Sequence, residues 1–270
     1  MTEGTARLEA YVRGIGLLAP GLADWPLGAA VLRGERPHTR APMELPAPAA
    51  LPSAERRRTG ATVRLALAAG LEALHGSGLE GAGLATVFAS SGGDGAICHE
   101  ICSALATPER QISPTRFHNS VHNAASGYWS IALGATASST ALAAYDGSFA
   151  AGLLEALSQL AATGRPVLLV AYETDYPEPL RTARSIAAPF ATALLLDTDP
   201  GARAAAHLQA SLTGQPADTL PEPSLEALRA GVPAARALPL LRRIARRDSG
   251  RAVLDYLHDL RLAVNVSPCQ

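Results

Sequence analysis

Two stretches of this chain, Pro166 to Tyr172 (PVLLVAY) and Phe190 to Leu196 (FATALLL), are apolar almost without a break. A strand with one wet face alternates apolar and polar side chains, so runs of this kind mark strands covered on both faces. The cover has to come from helices. Residues 149–161 (FAAGLLEALSQLA) read as one, with only Glu155, Ser158 and Gln159 polar. A helix that is apolar nearly all round is itself buried on most sides. Together these features predict an α/β architecture with a mainly parallel sheet and helices on both faces.

The rest of the chain fills in that outline. Residues 10–19 (AYVRGIGLLA) read as a strand and turn carrying Gly14 and Gly16, and a Pro-rich surface stretch follows, from Pro37 to Pro52. Thr59 stands where a helix cap is expected, ahead of Val63, Leu67, Leu71 and Leu74 at helical spacing; Gly76, Gly78, Gly81 and Gly83 end that helix. Thr86 to Ser91 reads as a short strand entering Gly92 and Gly93, followed by a helix through Ile97, Ile101 and Leu105. Pro114 is expected to open a loop. Ala124 to Leu133 is expected to be helical with Gly127 at a close contact, and Ser139 to Ala144 to be a strand ending at Tyr145-Asp146-Gly147-Ser148. Residues 198–235, rich in Pro, Ala and Gly, are expected to be irregular. Residues 225–260 read as helical with Arg242, Arg243, Arg246 and Arg247 on one side, and 261–266 as a last strand.

Composition excludes several classes. The 270 residues, 48% of them hydrophobic, can bury a sizeable core and read as one domain, 1–270. A formal net charge of −1 gives no electrostatic footprint for nucleic acid. No apolar run is long enough to span a bilayer, and the N-terminus lacks a secretory pattern, so a cytoplasmic protein is expected. There is no lysine, which removes a P-loop lysine and any Schiff-base mechanism. Cys98, Cys102 and Cys269 are too few and odd in number for a disulfide framework. Cys98, His99 and Cys102 make a C-H-x-x-C cluster, but a closed zinc site needs four ligands and no second pair follows, so neither metal nor cofactor is expected.

Five stretches in order are similar to the N-terminal half of the β-ketoacyl synthases, which have a thiolase-like fold. YVRGIGLLAPG resembles their first strand and turn, VRLALAAGLEAL their first long helix, and FASSGGDG the strand and glycine turn after it. SPTRFHNSVHNAASGYWSIALG resembles the segment beside the active site, and STALAAYDGSFAAGLLEAL the strand, nucleophile elbow and buried helix. The words HNSVHNAASGYWS and SFAAGLLEA are most similar to small ketosynthase-like proteins of aryl polyene and related pigment clusters. The resemblance is strongest over residues 10–200.

Departures from the family pattern decide what the resemblance implies. An active ketosynthase carries Thr-Ala-Cys-x-Ser at its elbow, where a helix N-terminus lowers the thiol pKa and backbone N–H groups stabilise an oxyanion. Aligned on the helix, Ala144 to Ser148 fall on that motif and Asp146 stands in place of the cysteine, beside Gly147 and Ser148. A carboxylate is a poor acyl acceptor, and Asp146 is expected to cap the helix as an anion. The family's catalytic histidines and lysine come from a second half, and this sequence stops before it; His207 and His258 lie in no Gly-rich motif. No catalytic residue is therefore expected. The resemblance implies a chain-length-factor-like subunit that pairs with a full-length ketosynthase, with an acyl carrier protein as a further partner. It places Phe117, Asn119, His122, Asn123, Tyr128 and Trp129 at the partner or its acyl tunnel. Hydrogen-bonded burial of that loop is the plainer reading.

Three other readings stay open on residues alone. Ser148, His122 and Asp146 make a set for a thioester hydrolase or decarboxylase, though Asp146 and Ala150 replace the glycines of a Gly-x-Ser-x-Gly elbow. Arg56-Arg57-Arg58 and the Arg242 to Arg247 cluster suit an acidic carrier, or are solvated faces. Helix 149–161 must be covered by residues 200–270 or by another subunit, since a bare apolar helix would aggregate.

Overall fold

The computed structural model describes residues 8–75, 77–202 and 204–269. In chain order the elements are β1 (Leu8–Leu18), α1 (Trp25–Arg33), α2 (Ser53–Arg56), α3 (Ala61–Leu74), β2 (Ala85–Ala89), α4 (Gly95–Leu105), α5 (Pro114–Asn119) and α6 (Ala124–Leu133). Then come β3 (Ser139–Leu142), α7 (Ser148–Thr163), β4 (Val167–Glu173), α8 (Leu180–Ala183), β5 (Phe190–Asp197), β6 (Ala206–Thr213), α9 (Pro223–Gly231), α10 (Leu238–Arg246), β7 (Gly250–Asp255) and β8 (Arg261–Pro268).

The two apolar runs became β4 and β5, and every residue of both strands is buried. Successive side chains enter opposite cores, as the two-residue period of a strand requires. Val167, Leu169 and Ala171 join α7 on one face, while Leu168, Val170 and Tyr172 join α3 and α6 on the other. The strands form one sheet in the order β3-β2-β4-β5-β1-β6-β8-β7. Parallel pairing is confined to β3-β2-β4, and the other neighbours are antiparallel. The sheet is thus mixed rather than mainly parallel. An apolar run reports cover on both faces, not strand direction, and an antiparallel strand between two helical layers reads the same way.

Gly14 and Gly16 let α3 lie directly on β1. A Cβ at either position would stand 1.8 Å from the Ala73 carbonyl oxygen or 1.9 Å from that of Ala69. Other local expectations change. The cap of α3 is Gly60; the Thr59 hydroxyl donates to the Arg56 carbonyl instead. Pro114 opens a short helix, not a loop, at a position where its missing N–H costs nothing. A Cβ on Gly127 would meet nothing within 4 Å, so this chain makes no close contact there.

The largest difference lies after residue 200. The stretch expected to be irregular forms β6 and α9, and the stretch expected to be helical breaks at Arg247 into β7. β6 carries polar side chains at alternate positions, and the apolar run of β7 is only three residues, Ala252 to Leu254, so neither gives a long continuous apolar signal. This tail covers α7. Phe149, Leu153, Leu157 and Leu160 share a core with Val232, Ala234, Ala235 and Leu238, through the 3-10 turn Pro233–Ala237. Among the described residues no helix is long and apolar enough to cross a membrane.

Candidate functional site

Because β3, β2 and β4 run parallel, the turns leaving their carboxyl ends open at one edge of the sheet. That edge is where α/β sheets place ligands. The turn after β3 is the elbow. A 3-10 turn, Tyr145–Gly147, feeds α7, and Tyr145 takes a left-handed φ of +51°. A non-glycine residue held there is strained, and strain of this kind clusters at functional turns. The strained apex is therefore Tyr145, one residue before Asp146. The Tyr145 ring is 65% exposed, and the Arg184 guanidinium lies 3.6 Å from its centroid.

Asp146 does not cap α7; the cap position is Gly147, with no side-chain bond. Its Oδ1 accepts from Arg184 Nη2 at 2.9 Å and its Oδ2 from Arg236 Nη2 at 3.1 Å. Arg236 continues to Asp255 at 3.3 Å, and Asp255 to Arg229 at 2.8 Å. Asp146 thus ties the elbow to the tail by opposite charge rather than by the helix dipole. The tail also seats against the backbone here, since a Cβ on Gly147 would stand 2.2 Å from the Tyr256 carbonyl oxygen.

Ser148 is buried and its hydroxyl is consumed by its own turn. It accepts from the Ala144 N–H at 3.0 Å and donates to the Tyr145 carbonyl at 2.7 Å. His122 Nε2 donates to the Ser90 carbonyl at 2.9 Å. Among the described residues no hydrogen bond joins Ser148, His122 and Asp146, so the hydrolase set is not assembled.

The end of β4 and the turn after β2 hold a buried polar cluster that sequence reasoning missed. Glu173 is fully buried, and its Oε1 accepts from the Ser91 N–H at 2.5 Å. Its Oε2 and the Ser91 hydroxyl have no partner among the described residues. Burial pushes the Glu173 carboxyl up to about 7, against the opposing pull of the Ser91 N–H. Tyr176 lies across the turn: a Cβ on Gly92 would stand 1.9 Å from its hydroxyl, and one on Gly95 2.5 Å from its ring. The glycines of FASSGGDG make room for this tyrosine. A carboxylate directly following an apolar run was the available signal for Glu173.

The residues expected at a partner or tunnel divide into two groups. Phe117 is exposed, and with Val121, Asn123, Gly127 and Ile131 it lines an open groove of about 480 Å³ between α5 and α6. Asn119 faces inward, donating to the Arg58 carbonyl at 2.7 Å and accepting from the Tyr128 hydroxyl at 3.0 Å. Trp129 is 1% exposed and packs on Phe88 and Gly70, so it does not reach the groove. A large aromatic in an amphipathic helix is more readily core than contact surface. On α4, Cys98 and Cys102 are free, and burial pushes the Cys98 thiol up. Among the described residues no group of three or more His, Cys, Asp or Glu side chains is placed to hold a metal ion.

Comparison with known proteins gives a consistent picture. Residues 33–249 match the family described as beta-ketoacyl synthase, N-terminal domain. A chain in the complex of the ketosynthase ApeO with its chain length factor ApeC from Xenorhabdus doucetiae is 26% identical. It superposes with a TM-score of 0.72 over 96% of this chain and 98% of that one. A chain of the ishigamide ketosynthase/chain length factor is 12% identical, with a TM-score of 0.71 over 97% and 99% of the two chains. A chain of AntDE:AntF, a type II polyketide synthase acyl-carrier protein in complex with its ketosynthase, is 13% identical. Its TM-score is 0.73 over 97% and 100%. The last two show the fold alone. No curated protein matches the chain.

Proposed function

Because this chain belongs to the β-ketoacyl synthase N-terminal domain family and has its thiolase-like fold, we propose that it is a chain-length-factor-like subunit without condensation chemistry of its own. It pairs with an active ketosynthase in polyene, fatty acyl or polyketide synthesis in the cytoplasm. The whole of 1–270 is one such domain. The elbow carries this reading. Its apex is a tyrosine, the next residue is a carboxylate bound by two arginines, and the following hydroxyl is spent inside the turn. None of the three offers an acyl acceptor: nucleophilic catalysis needs an activated thiol or hydroxyl with a base in reach. A similar chain occurs in the complex of a ketosynthase with its chain length factor, which supports the kind of partner.

Co-expression with a full-length ketosynthase and carrier protein tests it. The expected result is a stable heteromeric complex, active in acyl elongation, with this chain inert alone. A monomer that leaves the synthase equally active without it, or acyl thioester turnover by the isolated chain, overturns the proposal.

A further inference from the structure

We infer that Arg184 and Arg236 form a carboxylate-binding clamp at the elbow, which Asp146 fills as a tethered internal ligand and a free small carboxylate fills in its absence. The inference goes beyond the pairing role proposed above and concerns the isolated chain, whether or not it pairs.

The geometry is that of a recognition site, and the chain itself shows the class of ligand it takes. Each carboxylate oxygen of Asp146 has its own guanidinium: Arg184 Nη2 donates to Oδ1 at 2.9 Å and Arg236 Nη2 to Oδ2 at 3.1 Å. Charge-assisted hydrogen bonds of this kind are the strong ones. The two arginines come from separate segments, one directly after α8 and one in the turn Pro233–Ala237. Their side chains are 20% and 19% exposed, whereas that of Asp146 is 40% exposed. The clamp is therefore shielded, while its occupant lies on the solvent side.

The clamp does not depend on Asp146 for its shape. The Arg184 guanidinium rests on the Tyr145 ring, 3.6 Å from its centroid, and Arg236 Nη1 pairs with Asp255 at 3.3 Å. The tail that carries Arg236 is seated by its backbone, since a Cβ on Gly147 would stand 2.2 Å from the Tyr256 carbonyl oxygen. Groups fixed in advance lose little freedom when a ligand binds. Charge favours refilling as well. In the ion-pair network Arg184, Arg236, Arg229 and Arg261 face Asp146, Asp255 and Glu226, so without Asp146 four arginines face two carboxylates. A partly buried surplus of this kind is screened less than one on an open surface. A planar carboxylate meets both guanidinium groups with its two oxygens, a match that spherical chloride lacks. In the unmodified chain a free carboxylate competes with Asp146, whose tether gives it an effective concentration on the order of millimolar or above.

Thermal melts of the full chain in acetate or formate, against chloride at the same ionic strength, test the site. Asp146→Ala removes the carboxylate and opens the clamp. Its melting temperature is expected to rise by about 3 °C or more as acetate saturates the site. The unmodified chain should respond little, and so should Asp146→Asn, whose amide still fills the space. Adding Arg184→Gln or Arg236→Gln to Asp146→Ala should abolish the rise. Circular dichroism verifies folding. If Asp146→Ala is unfolded in chloride, recovery of its folded signal in acetate reads the same rescue, and failure to recover counts against the clamp. A response to chloride or sulfate equal to that of acetate, an equal rise in the unmodified chain, or a rise that survives loss of either arginine overturns the assignment.

Discussion

Glu173 carries an energetic cost that depends on pH. Its carboxyl is raised in the folded chain from the ordinary 4.5 to about 7, chiefly by burial. The folded state therefore keeps its proton to higher pH than the unfolded state does. Below the unfolded value both states are neutral and nothing is lost; as pH rises from about 4.5 to about 7 folding weakens, and beyond that the full cost persists. A shift of this size corresponds to something on the order of 3 kcal/mol. Glu173→Gln keeps an acceptor for the Ser91 N–H and removes the charge. It should flatten the decline, so that the variant overtakes the unmodified protein above neutrality in urea unfolding followed across pH. A parallel decline in both proteins would show that Glu173 is not the group responsible. Asp146 makes the opposite case, a charge already answered by Arg184 and Arg236. Asp146→Cys supplies a thiol one residue past the strained apex and leaves both arginines without their carboxylate. No condensing activity should appear in that variant by radiolabelled malonyl transfer assays, and recovery would mean the elbow had been misassigned.

Elements packed through glycine and elements bearing an unexplained glycine should respond in opposite ways. Gly16→Val would drive a side chain into the Ala69 carbonyl and separate α3 from β1, at a cost of about 3 kcal/mol or more. Gly127→Ala fills open space in the interior of α6 and should stabilise the isolated chain by about 0.5–1 kcal/mol through helix propensity. Thermal melts of the two variants check both signs. Elements also show what a sequence can reveal. β4, β5 and α7 were legible because burial on every side leaves an unbroken apolar run. The direction of β5 was not, because pairing sense is set by where the connection leads and not by side-chain pattern. β6 and β7 were hidden because half of each strand faces water and the surrounding composition is rich in Ala and Pro. Within the site, Asp146 could be located by its neighbours along the chain. Its partners could not, because Arg184 and Arg236 lie 38 and 90 residues away.

Over the whole molecule, exposed apolar surface is unevenly placed. Leu105, Phe117, Val121 and Ile131 are all large, exposed and drawn from α4 to α6. Of the eleven residues of α4 only Gly95 is buried, although its sequence, GAICHEICSAL, is largely apolar. Of these helices α6 packs on β2 and β3, and β3 is the strand at one end of the sheet, whose outer edge has no partner among the described residues. An open edge beside an apolar helix and exposed apolar side chains is a surface suited to cover by another chain. The opposite end of the sheet is β7, which begins with exposed Gly250 and Arg251, and a charged edge discourages strand addition. If the chain pairs as proposed, the ketosynthase should cover the α6 and β3 side. Phe117 is 65% exposed, so Phe117→Asp removes little from the core and should leave the melting temperature of the isolated chain within about 2 °C, given the near-neutrality of most surface substitutions. At an interface the same change buries an unpaired carboxylate, which costs several kcal/mol and should abolish co-purification. Leu212→Asp, at an exposed leucine of similar accessibility on β6, is the matched control and should leave pairing intact. If both variants co-purify with the ketosynthase as the unmodified chain does, the partner sits elsewhere and the apolar character of α4 to α6 needs another explanation.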